Sequence, residues 1–250
     1  MNEQPRRLTG RLARHQIVTL TLTRVPAALL ARYRALDDLT STVSDTMDMM
    51  GVNGVIPASI LRPSISGARM VGQAITLRNA LVATTAPGMR HAGASRLADI
   101  ECHNLAEPGD VLVIQGTDGI SSMGAFSAHI GKRQGESGAV VDGAVRDIAN
   151  TRALPYPIWS SGPSPKTGKF RLESVELNGP VLIAGVHVRA GDLVLADDDG
   201  ICFVPIERAE TILHLAERRA VDERERAASI DLGMSVPDLA AWTTPSAEAG

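Results

Sequence analysis

Apolar residues in the first third of this chain follow helical spacing and then the spacing of a strand. A helix is expected to open at Pro26, a favoured first helical position, and to run through the segment PAALLARYRALDDL. A second helix is expected from a cap at Ser41 or Thr42 through Met50, because these hydroxyls can accept hydrogen bonds from a first helical turn. Residues 69–78 alternate between apolar and polar side chains, which predicts a half-buried strand.

Farther along the chain, short apolar runs typical of buried strands alternate with helical segments. The elements predicted in the middle third are a helix at about 91–105, strands at 111–114 and 138–141, a Gly- and Ser-rich loop at 116–124, and a helix at 125–134. The elements predicted after Pro155 are a turn-rich loop at 160–169, short strands near 181–184, 193–196 and 201–204, and a long charged helix at about 206–229. This alternation indicates a single α/β domain. We place it at residues 26–235, between an N-terminal extension (1–25) that is expected to be flexible and a C-terminal tail (236–250).

The composition is that of an ordinary globular protein, with 44% hydrophobic and 21% charged residues in a chain of 250. No apolar run is long enough to cross a membrane, and a net charge of −3 provides no basic face of the kind that nucleic-acid binding requires. The basic residues from Arg6 to Arg14 are interpreted as part of a solvated N-terminus, since no cleavage signature of a secretory signal follows them. Cys102 and Cys202 lack CxxC spacing, so we expect buried thiols in a cytoplasmic protein.

The segment GESGAVVDGAVRDIANTRALPYP, which begins at Gly135, is the most informative for chemistry. A buried strand is expected to end at Asp142, and a tight turn then presents Arg146 and Asp147 before the next helix. Ligands of α/β folds usually bind just beyond strand ends. An arginine there can hold a carboxylate through two parallel hydrogen bonds, and a neighbouring aspartate can bind a hard cation such as Mg²⁺. Spacing alone leaves open an ordinary ion pair at a helix start, where an aspartate complements the helix dipole.

Three other polar features carry weaker indications. Residues 197–199 are consecutive aspartates, but neighbouring strand residues point to opposite faces, so they indicate a hairpin turn rather than a set of metal ligands. His129 is the histidine expected nearest to the site, one turn into a predicted helix, although a surface position also fits. The acidic run DERER around Glu223 fits a solvated helix face.

In their order along the chain, several motifs resemble those of the RraA-like family, which includes the 4-hydroxy-4-methyl-2-oxoglutarate/4-carboxy-4-hydroxy-2-oxoadipate aldolases. The segments that carry the resemblance are TVSD at Thr42, RP at Arg62, GARMVGQAITLR, PGDVLVI, GAVVDGAVRD ending at Asp147, and GVHVRAGDLVLADDDGICFVP. GAVVDGAVRD is the most specific of them. The resemblance implies a layered β/β/α swivelling-domain fold, assembled as a homotrimer or as a dimer of trimers (a homohexamer) with sites between subunits.

The resemblance also implies roles for particular residues. Arg146 would hold the carboxylate of a 2-oxo acid, and Asp147 would place a divalent metal, Mg²⁺ or Mn²⁺, that polarises the 2-oxo group. An acidic residue from the C-terminal helix of a neighbouring subunit would reach the site, and Glu223 is the nearest match among the three acids of the run DERER. Backbone N–H groups at a helix start would complete an anion pocket, and they belong to Gly124, Ala125 and Phe126.

One position departs from the family pattern. The metal-dependent aldolases of the family carry an acidic residue 21 positions before the arginine, where this chain has Ala125, which offers no oxygen to a metal or a water. Asp118 lies in the same loop and either reaches the site or caps the loop. The implied function is a metal-assisted lyase that cleaves a 4-hydroxy-2-oxo acid to pyruvate or decarboxylates oxaloacetate. Two alternatives stay open: a non-catalytic regulatory binding protein, and a lyase or isomerase for another keto acid or sugar acid.

Overall fold

The computed structural model of the chain describes residues 7–83, 88 and 95–242. Its helices are α1 (Ala27–Arg34), α2 (Leu39–Met49), α3 (Asp99–Leu105), α4 (Ala125–Gln134), α5 (Ile148–Ala153), α6 (Ala209–Asp231) and α7 (Val236–Ala240). Its strands are β1 (Val55–Pro57), β2 (Arg62–Pro63), β3 (Met70–Leu81), β4 (Val111–Gln115), β5 (Ser121–Met123), β6 (Gly138–Val145), β7 (Ile158–Pro163), β8 (Leu172–Leu177), β9 (Val181–Ile183), β10 (Val186–Val188), β11 (Leu193–Ala196) and β12 (Gly200–Val204). Over these ranges, no helix has the length and apolar character that crossing a bilayer requires.

The long strand β3 connects the two halves of the main sheet. Its residues 70–73 pair antiparallel with β11, which continues to β12 and β1. Its residues 74–78 pair in parallel with β4, and β6 and β7 follow, also in parallel. Gly72 lies just before this change of partner, where an added Cβ would stand 2.1 Å from the carbonyl oxygen of Gly109. A side chain at Gly72 would therefore separate two backbone segments that must lie close together.

Three clusters of buried side chains divide the domain into layers. The first lies between the parallel strands and helices α3 and α4, and it includes Leu112 and Ile114 of β4. The second lies between the two halves of the sheet and includes Val113 and Trp159. The third packs the antiparallel half against α1, α2 and α6, and it includes Leu195. The α/β class and the layered β/β/α arrangement are confirmed, and a further layer of helices covers the outer antiparallel face.

Several predicted elements are confirmed and others are wrong at one end. Helix α4 and strand β11 have the predicted bounds. Helix α2 begins at Leu39, before the predicted caps, and the hydroxyl of Ser41 donates instead to Asp199 at 3.0 Å. Strand β3 is almost fully buried rather than half-buried, because layers cover both of its faces. The helix predicted at 91–105 corresponds to α3, which begins only at Asp99. Residues 95–98 are not helical, and residues 91–94 lie outside the described ranges.

The hydrophobic pattern does not predict strands β1, β2, β5, β7, β8 and β10, nor helix α7. The sequence of β7 ends in Gly162 and Pro163, which are typical of turns. Strand β8 carries Glu173 and Glu176, which form ion pairs with arginines of neighbouring segments at the sheet edge. Charged and turn-forming residues are tolerated at these positions because the edges of the sheet face solvent.

Part of the N-terminal extension contacts the domain through two buried side chains and a buried carboxylate, and the flexibility of the extension as a whole stays a prediction. The side chains of Leu12 and Ile17 are only 4% and 2% exposed. The buried carboxylate of Glu101 on α3 accepts hydrogen bonds from the backbone N–H groups of Thr9 at 2.9 Å and Gly10 at 3.1 Å. These contacts join the start of the extension to α3.

Candidate functional site

The Arg146–Asp147 pair follows strand β6 at the ends of the parallel strands, where α/β folds usually bind ligands. Strand β6 does not end at Asp142, as the sequence predicts, but continues to Val145 with a shift of register against β7. Gly143 lies within the shift and has a φ of 150°. The carboxylate of Asp142 accepts a backbone N–H from the turn between β9 and β10 at 2.8 Å. The strand therefore bends at this glycine and carries the pair beyond the sheet edge.

Asp147 has a left-handed backbone conformation, with a φ of 58° and a ψ of 37°, which aspartate tolerates better than most residues. Its side chain does not cap its own helix, α5, but it pairs with Arg146 at the start of that helix, so the interpretation as an ordinary helix-start ion pair stays open. Its Oδ2 instead lies 3.3 Å from the backbone nitrogen of Ala125 at the start of α4 and 3.5 Å from Nε of Arg146. Gly124 provides the space, because an added Cβ would stand 2.7 Å from Oδ2 of Asp147. The two functional side chains are therefore packed together over Gly124.

A cavity of about 580 Å³ lies beside this pair. Its charged lining residues are Arg11, Asp99, Arg146, Asp147 and Lys169. Three of these five are basic, which favours an anionic ligand. The volume is typical of a site for a small molecule. Neither Arg11 nor Lys169 was expected from the sequence, because each comes from a segment that carries no motif.

The predicted anion pocket at the start of α4 is only partly present. Gly124 and Phe126 line the cavity, and the side chain of Phe126 is 77% exposed. The backbone N–H of Ala125 donates to Asp147, so it serves the functional pair rather than a ligand directly. Asp118 and His129 are exposed and are not among the residues that line the cavity, which agrees with the interpretation of Asp118 as a loop residue and of His129 as a surface histidine.

Glu223 does not lie at the cavity of its own chain. It is on α6, which packs against α2 on the far side of the sheet, and it pairs with Arg219 at 3.1 Å. A contribution of Glu223 to the site of a neighbouring subunit stays a prediction. The aspartates at residues 197–199 form the turn between β11 and β12, which confirms the hairpin interpretation.

The described residues contain no group of three or more His, Cys, Asp or Glu side chains placed to hold a metal ion. Asp147 offers one carboxylate at the cavity, with a side chain that is 41% exposed. Mg²⁺ in proteins often binds through one or two carboxylates and keeps several waters, with substrate oxygens completing its shell. Asp147 is therefore one candidate oxygen ligand for a hard divalent cation, and the described residues do not form a closed metal site.

A buried polar cluster beneath the cavity was missed at the sequence level. His103 Nδ1 lies 2.7 Å from Glu136 Oε1, and His103 Nε2 lies 2.8 Å from the hydroxyl oxygen of Ser127. The hydroxyl of Tyr156 donates to Glu136 Oε2 at 2.6 Å. Burial, and after it the charge of Glu136, raises the pKa of Tyr156 well above its ordinary value, so this hydroxyl stays protonated. Ser127 also lines the cavity, so the cluster reaches the candidate site.

Comparison with known proteins identifies the family of this chain. Residues 40–203 match the family model described as RraA-like: Aldolase/RraA. The chain is 32% identical over 194 residues to a protein of Halalkalibacterium halodurans named "Putative 4-hydroxy-4-methyl-2-oxoglutarate aldolase", covering 76% of this chain and 84% of that one. A protein of Deinococcus radiodurans with the same name is 34% identical over 152 residues, covering 58% of this chain and 83% of its own.

Two solved structures have the same fold. One is the RNase ES inhibitor family member RraAS2 of Streptomyces coelicolor, with a TM-score of 0.67 and 26% identity over 86% of this chain and 100% of that one. The other is an uncharacterized protein of Pseudomonas syringae, with a TM-score of 0.73 and 24% identity over 87% of this chain and 99% of that one. The family model matches well over half of the sequence. This chain therefore belongs to the RraA-like (Aldolase/RraA) family.

Proposed function

We propose that this protein is a lyase that forms pyruvate from a 4-hydroxy-2-oxo acid by aldol cleavage, and that it also decarboxylates oxaloacetate. The observation that carries the proposal is the packing of Arg146 and Asp147 over Gly124, beside a cavity with more basic than acidic residues. Relatives named as aldolases at 32% and 34% identity support the same class of reaction.

In the proposed reaction Arg146 binds the carboxylate next to the 2-oxo group through its guanidinium, which stays charged at any working pH. The 4-hydroxyl loses its proton to a base, the bond between C3 and C4 breaks with its electron pair forming the enolate of pyruvate, and C4 becomes a carbonyl carbon. A proton added to C3 then completes pyruvate. The positive charge of Arg146 stabilises the enolate more than the neutral ketone, which is what an accelerating interaction requires. Decarboxylation of oxaloacetate passes through the same enolate, with CO₂ as the other product.

Asp147 is the residue that we propose holds a divalent metal, Mg²⁺ or Mn²⁺. When bound, the metal would act as a Lewis acid toward the 2-oxo group. The oxygen of Asp147 that accepts from Ala125 is also near Arg146, so the carboxylate is oriented before any cation binds. Because Ala125 contributes no carboxylate, we expect weaker metal binding than in relatives with an acid there, of the order of 10–100-fold for a lost supporting group.

Arg11 and Lys169 indicate that the substrate carries a second carboxylate. Both line the cavity together with Arg146, and neither forms an ion pair among the described residues. A substrate with carboxylates at both ends would use Arg146 at the reacting end and these two residues at the other. For Arg11→Ala we expect a higher KM with little change in kcat, because contacts remote from the reacting atoms contribute binding in ground and transition states alike. Steady-state kinetics on the dicarboxylate checks this.

The test of the proposed function is pyruvate release from 4-hydroxy-4-methyl-2-oxoglutarate and from oxaloacetate, with Mg²⁺ or Mn²⁺ and again with excess EDTA. We expect metal-dependent release, and a loss of several orders of magnitude for Arg146→Ala with an unchanged melting temperature. Arg152→Ala is the matched control, because Arg152 lies on α5 a few residues along and does not line the cavity. An Arg146→Ala variant with the turnover rate of wild type would refute the proposed lyase function.

We further propose a homotrimer or a dimer of trimers in which Glu223 reaches the site of a neighbour. Glu223 is exposed on α6, so it is accessible to a second chain. Light scattering gives the mass of the assembly. A monomer with full activity would contradict this part of the proposal and leave the lyase reaction standing.

A non-catalytic binding role is the second candidate, and Ala125 favours it. The similarity to RraAS2 of Streptomyces coelicolor, whose family is described as inhibiting an RNase, points the same way. Phe126, 77% exposed at the mouth of the cavity, would then contact a protein partner. Absence of pyruvate release from a folded protein would favour this candidate, or a lyase or isomerase for another keto acid or sugar acid.

A further inference from the structure

Three side chains beneath the cavity are ordered as a hydroxyl, an imidazole and a carboxylate. Ser127 on α4, His103 on α3 and Glu136 in the turn before β6 are joined by contacts of 2.8 Å and 2.7 Å. Ser127 is 4% exposed, and the side chains of His103 and Glu136 are completely buried. This is the spacing at which a base can accept the proton of a hydroxyl while an acid orients the base.

The direction of proton transfer follows from the partners of the carboxylate. An ionised Glu136 only accepts hydrogen bonds, and it receives one from Tyr156 at Oε2. Its Oε1 therefore accepts from the Nδ1–H of His103. With its proton on Nδ1, the imidazole presents the lone pair of Nε2 to the hydroxyl of Ser127. The imidazole is thus placed to take the proton of Ser127, and the carboxylate stabilises the charge that results.

Ser127 is the end of the cluster that meets the candidate site. It lies in the first turn of α4, which begins next to Gly124 where Arg146 and Asp147 pack, and it lines the same cavity as both. His103 and Glu136 are not among the lining residues. Any exchange of a proton between the cluster and a bound molecule must therefore pass through the hydroxyl of Ser127.

The cluster is an unusual choice if its only role is to join α3 to α4. A buried carboxylate is destabilising unless it is fully paired, and well-packed apolar residues would stabilise a helix contact as well or better. The chain also keeps Gly131 on α4, where an added Cβ would stand 2.6 Å from Oε2 of Glu136 and 2.7 Å from the hydroxyl of Tyr156. The space for the carboxylate and its partner is therefore preserved by a glycine inside a helix, which itself weakens the helix.

We propose that Ser127 is a catalytic residue that exchanges a proton with the substrate, and that His103 and Glu136 are positioning residues that make its hydroxyl a base. The inference rests on the proposed lyase function. In aldol cleavage the Ser127 oxygen takes the proton of the 4-hydroxyl while its own proton passes to Nε2 of His103. The bond between C3 and C4 breaks, and the enolate of pyruvate forms with its electron pair. The same proton then returns through Ser127 to C3, which becomes the methyl group of pyruvate.

The experiment compares wild type with Ser127→Ala in two measurements. One is kcat and KM for cleavage of 4-hydroxy-4-methyl-2-oxoglutarate, and the other is exchange of the pyruvate methyl protons in D₂O, followed by ¹H NMR. We expect Ser127→Ala to lower kcat about 10²–10⁴-fold, the usual contribution of general acid–base catalysis, with KM little changed. Methyl exchange should fall by a similar factor, because it is the return step in reverse.

Ser160→Ala is the matched control. Ser160 lies on β7, is 4% exposed like Ser127, and does not line the cavity. Its substitution should leave both measurements unchanged. Oxaloacetate decarboxylation supplies a further contrast, because loss of CO₂ requires no base. Ser127→Ala should therefore reduce pyruvate formation from oxaloacetate much less than cleavage of the hydroxy acid.

His103→Gln and Glu136→Gln test the positioning residues with the same readouts. A purely structural cluster would lower the melting temperature of these variants and leave methyl exchange per folded molecule unchanged. The proposed proton relay, in which Ser127 exchanges a proton with the substrate and His103 and Glu136 position it, requires exchange of the pyruvate methyl protons to fall in both variants. If wild type cleaves the substrate and Ser127→Ala cleaves it and exchanges methyl protons equally fast, the proton relay is refuted and the proposed lyase function stands. A folded wild type with neither cleavage nor exchange would overturn the proposed function and the relay together.

Discussion

Gly124→Ala is the sharpest test of how the Arg146–Asp147 pair is positioned. An ideal Cβ on Gly124 would stand 2.7 Å from Oδ2 of Asp147 and 3.1 Å from Cγ of Arg146, whereas ordinary contact begins at 3.4 Å. The aspartate oxygen must therefore move by about 0.7 Å, and the arginine by a few tenths of an ångström. Displacement of this size at a reacting centre costs about 100-fold in rate, or about 2.7 kcal/mol of transition-state stabilisation.

The same substitution should hardly change stability. Gly124 has an extended backbone with a φ of −145°, which alanine adopts without strain. The atoms in the way belong to side chains that are 35% and 41% exposed, so they can move toward solvent. We expect the free energy of unfolding to change by no more than about 1 kcal/mol.

The assay is kcat/KM for pyruvate release from oxaloacetate, with thermal unfolding measured on the same samples. Lys132→Ala is the control, because Lys132 is exposed on the last turn of α4 and does not line the cavity. Activity of Gly124→Ala within about threefold of wild type would refute the positioning argument. Loss of the folded state would refute the claim that side-chain movement relieves the contact.

Two further predictions concern the buried interior. Gly131→Ala should lower the free energy of unfolding by about 1–3 kcal/mol, because the new methyl group would stand only 2.7 Å from the hydroxyl oxygen of Tyr156. Chemical denaturation measures this change, and an unchanged denaturation midpoint would contradict the overpacking argument. The thiols of Cys102 and Cys202 are free and buried as the sequence predicts, and burial raises the pKa of Cys202 to about 12. The stability that a raised thiol pKa contributes is fully present below the thiol's ordinary pKa, and it is lost as the pH rises through the pKa of the folded state. At pH 8 both thiols therefore stay protonated and unreactive. A thiol reagent at this pH should modify neither thiol before the protein unfolds, and rapid labelling of the native state would show this to be wrong.

The sequence predicts the elements of the core because the local hydrophobic pattern and the tertiary environment agree there. Helix α4 combines apolar residues at helical spacing with Gly135 at its end, which adopts a left-handed conformation, so both bounds were predicted. The sequence predicts too short a strand before the Arg146–Asp147 pair, because Asp142 and Gly143 are residues typical of a turn. In the structure the aspartate is satisfied by a backbone N–H from another hairpin, and no local pattern contains that partner.

The Arg146–Asp147 pair was found because its residues are adjacent, whereas the rest of the candidate site comes from distant segments. His103 contacts partners that are 24 and 33 positions away along the chain. Periodicity describes neighbours within a few residues, so it has no access to such contacts. His129 is the histidine that the sequence places nearest to the site, and its exposed position agrees with the surface alternative, whereas nothing in the local pattern indicates His103.

The anchoring of the N-terminal segment by Glu101 has an evolutionary consequence. Arg11 reaches the cavity from outside residues 40–203, the region that matches the family model. Proteins that share the family core can therefore differ in this wall of the cavity without any change in the core itself. Exchange of residues 7–25 between relatives offers a route to altered substrate preference, in which the acceptor must keep a carboxylate at the position of Glu101 to dock the new segment.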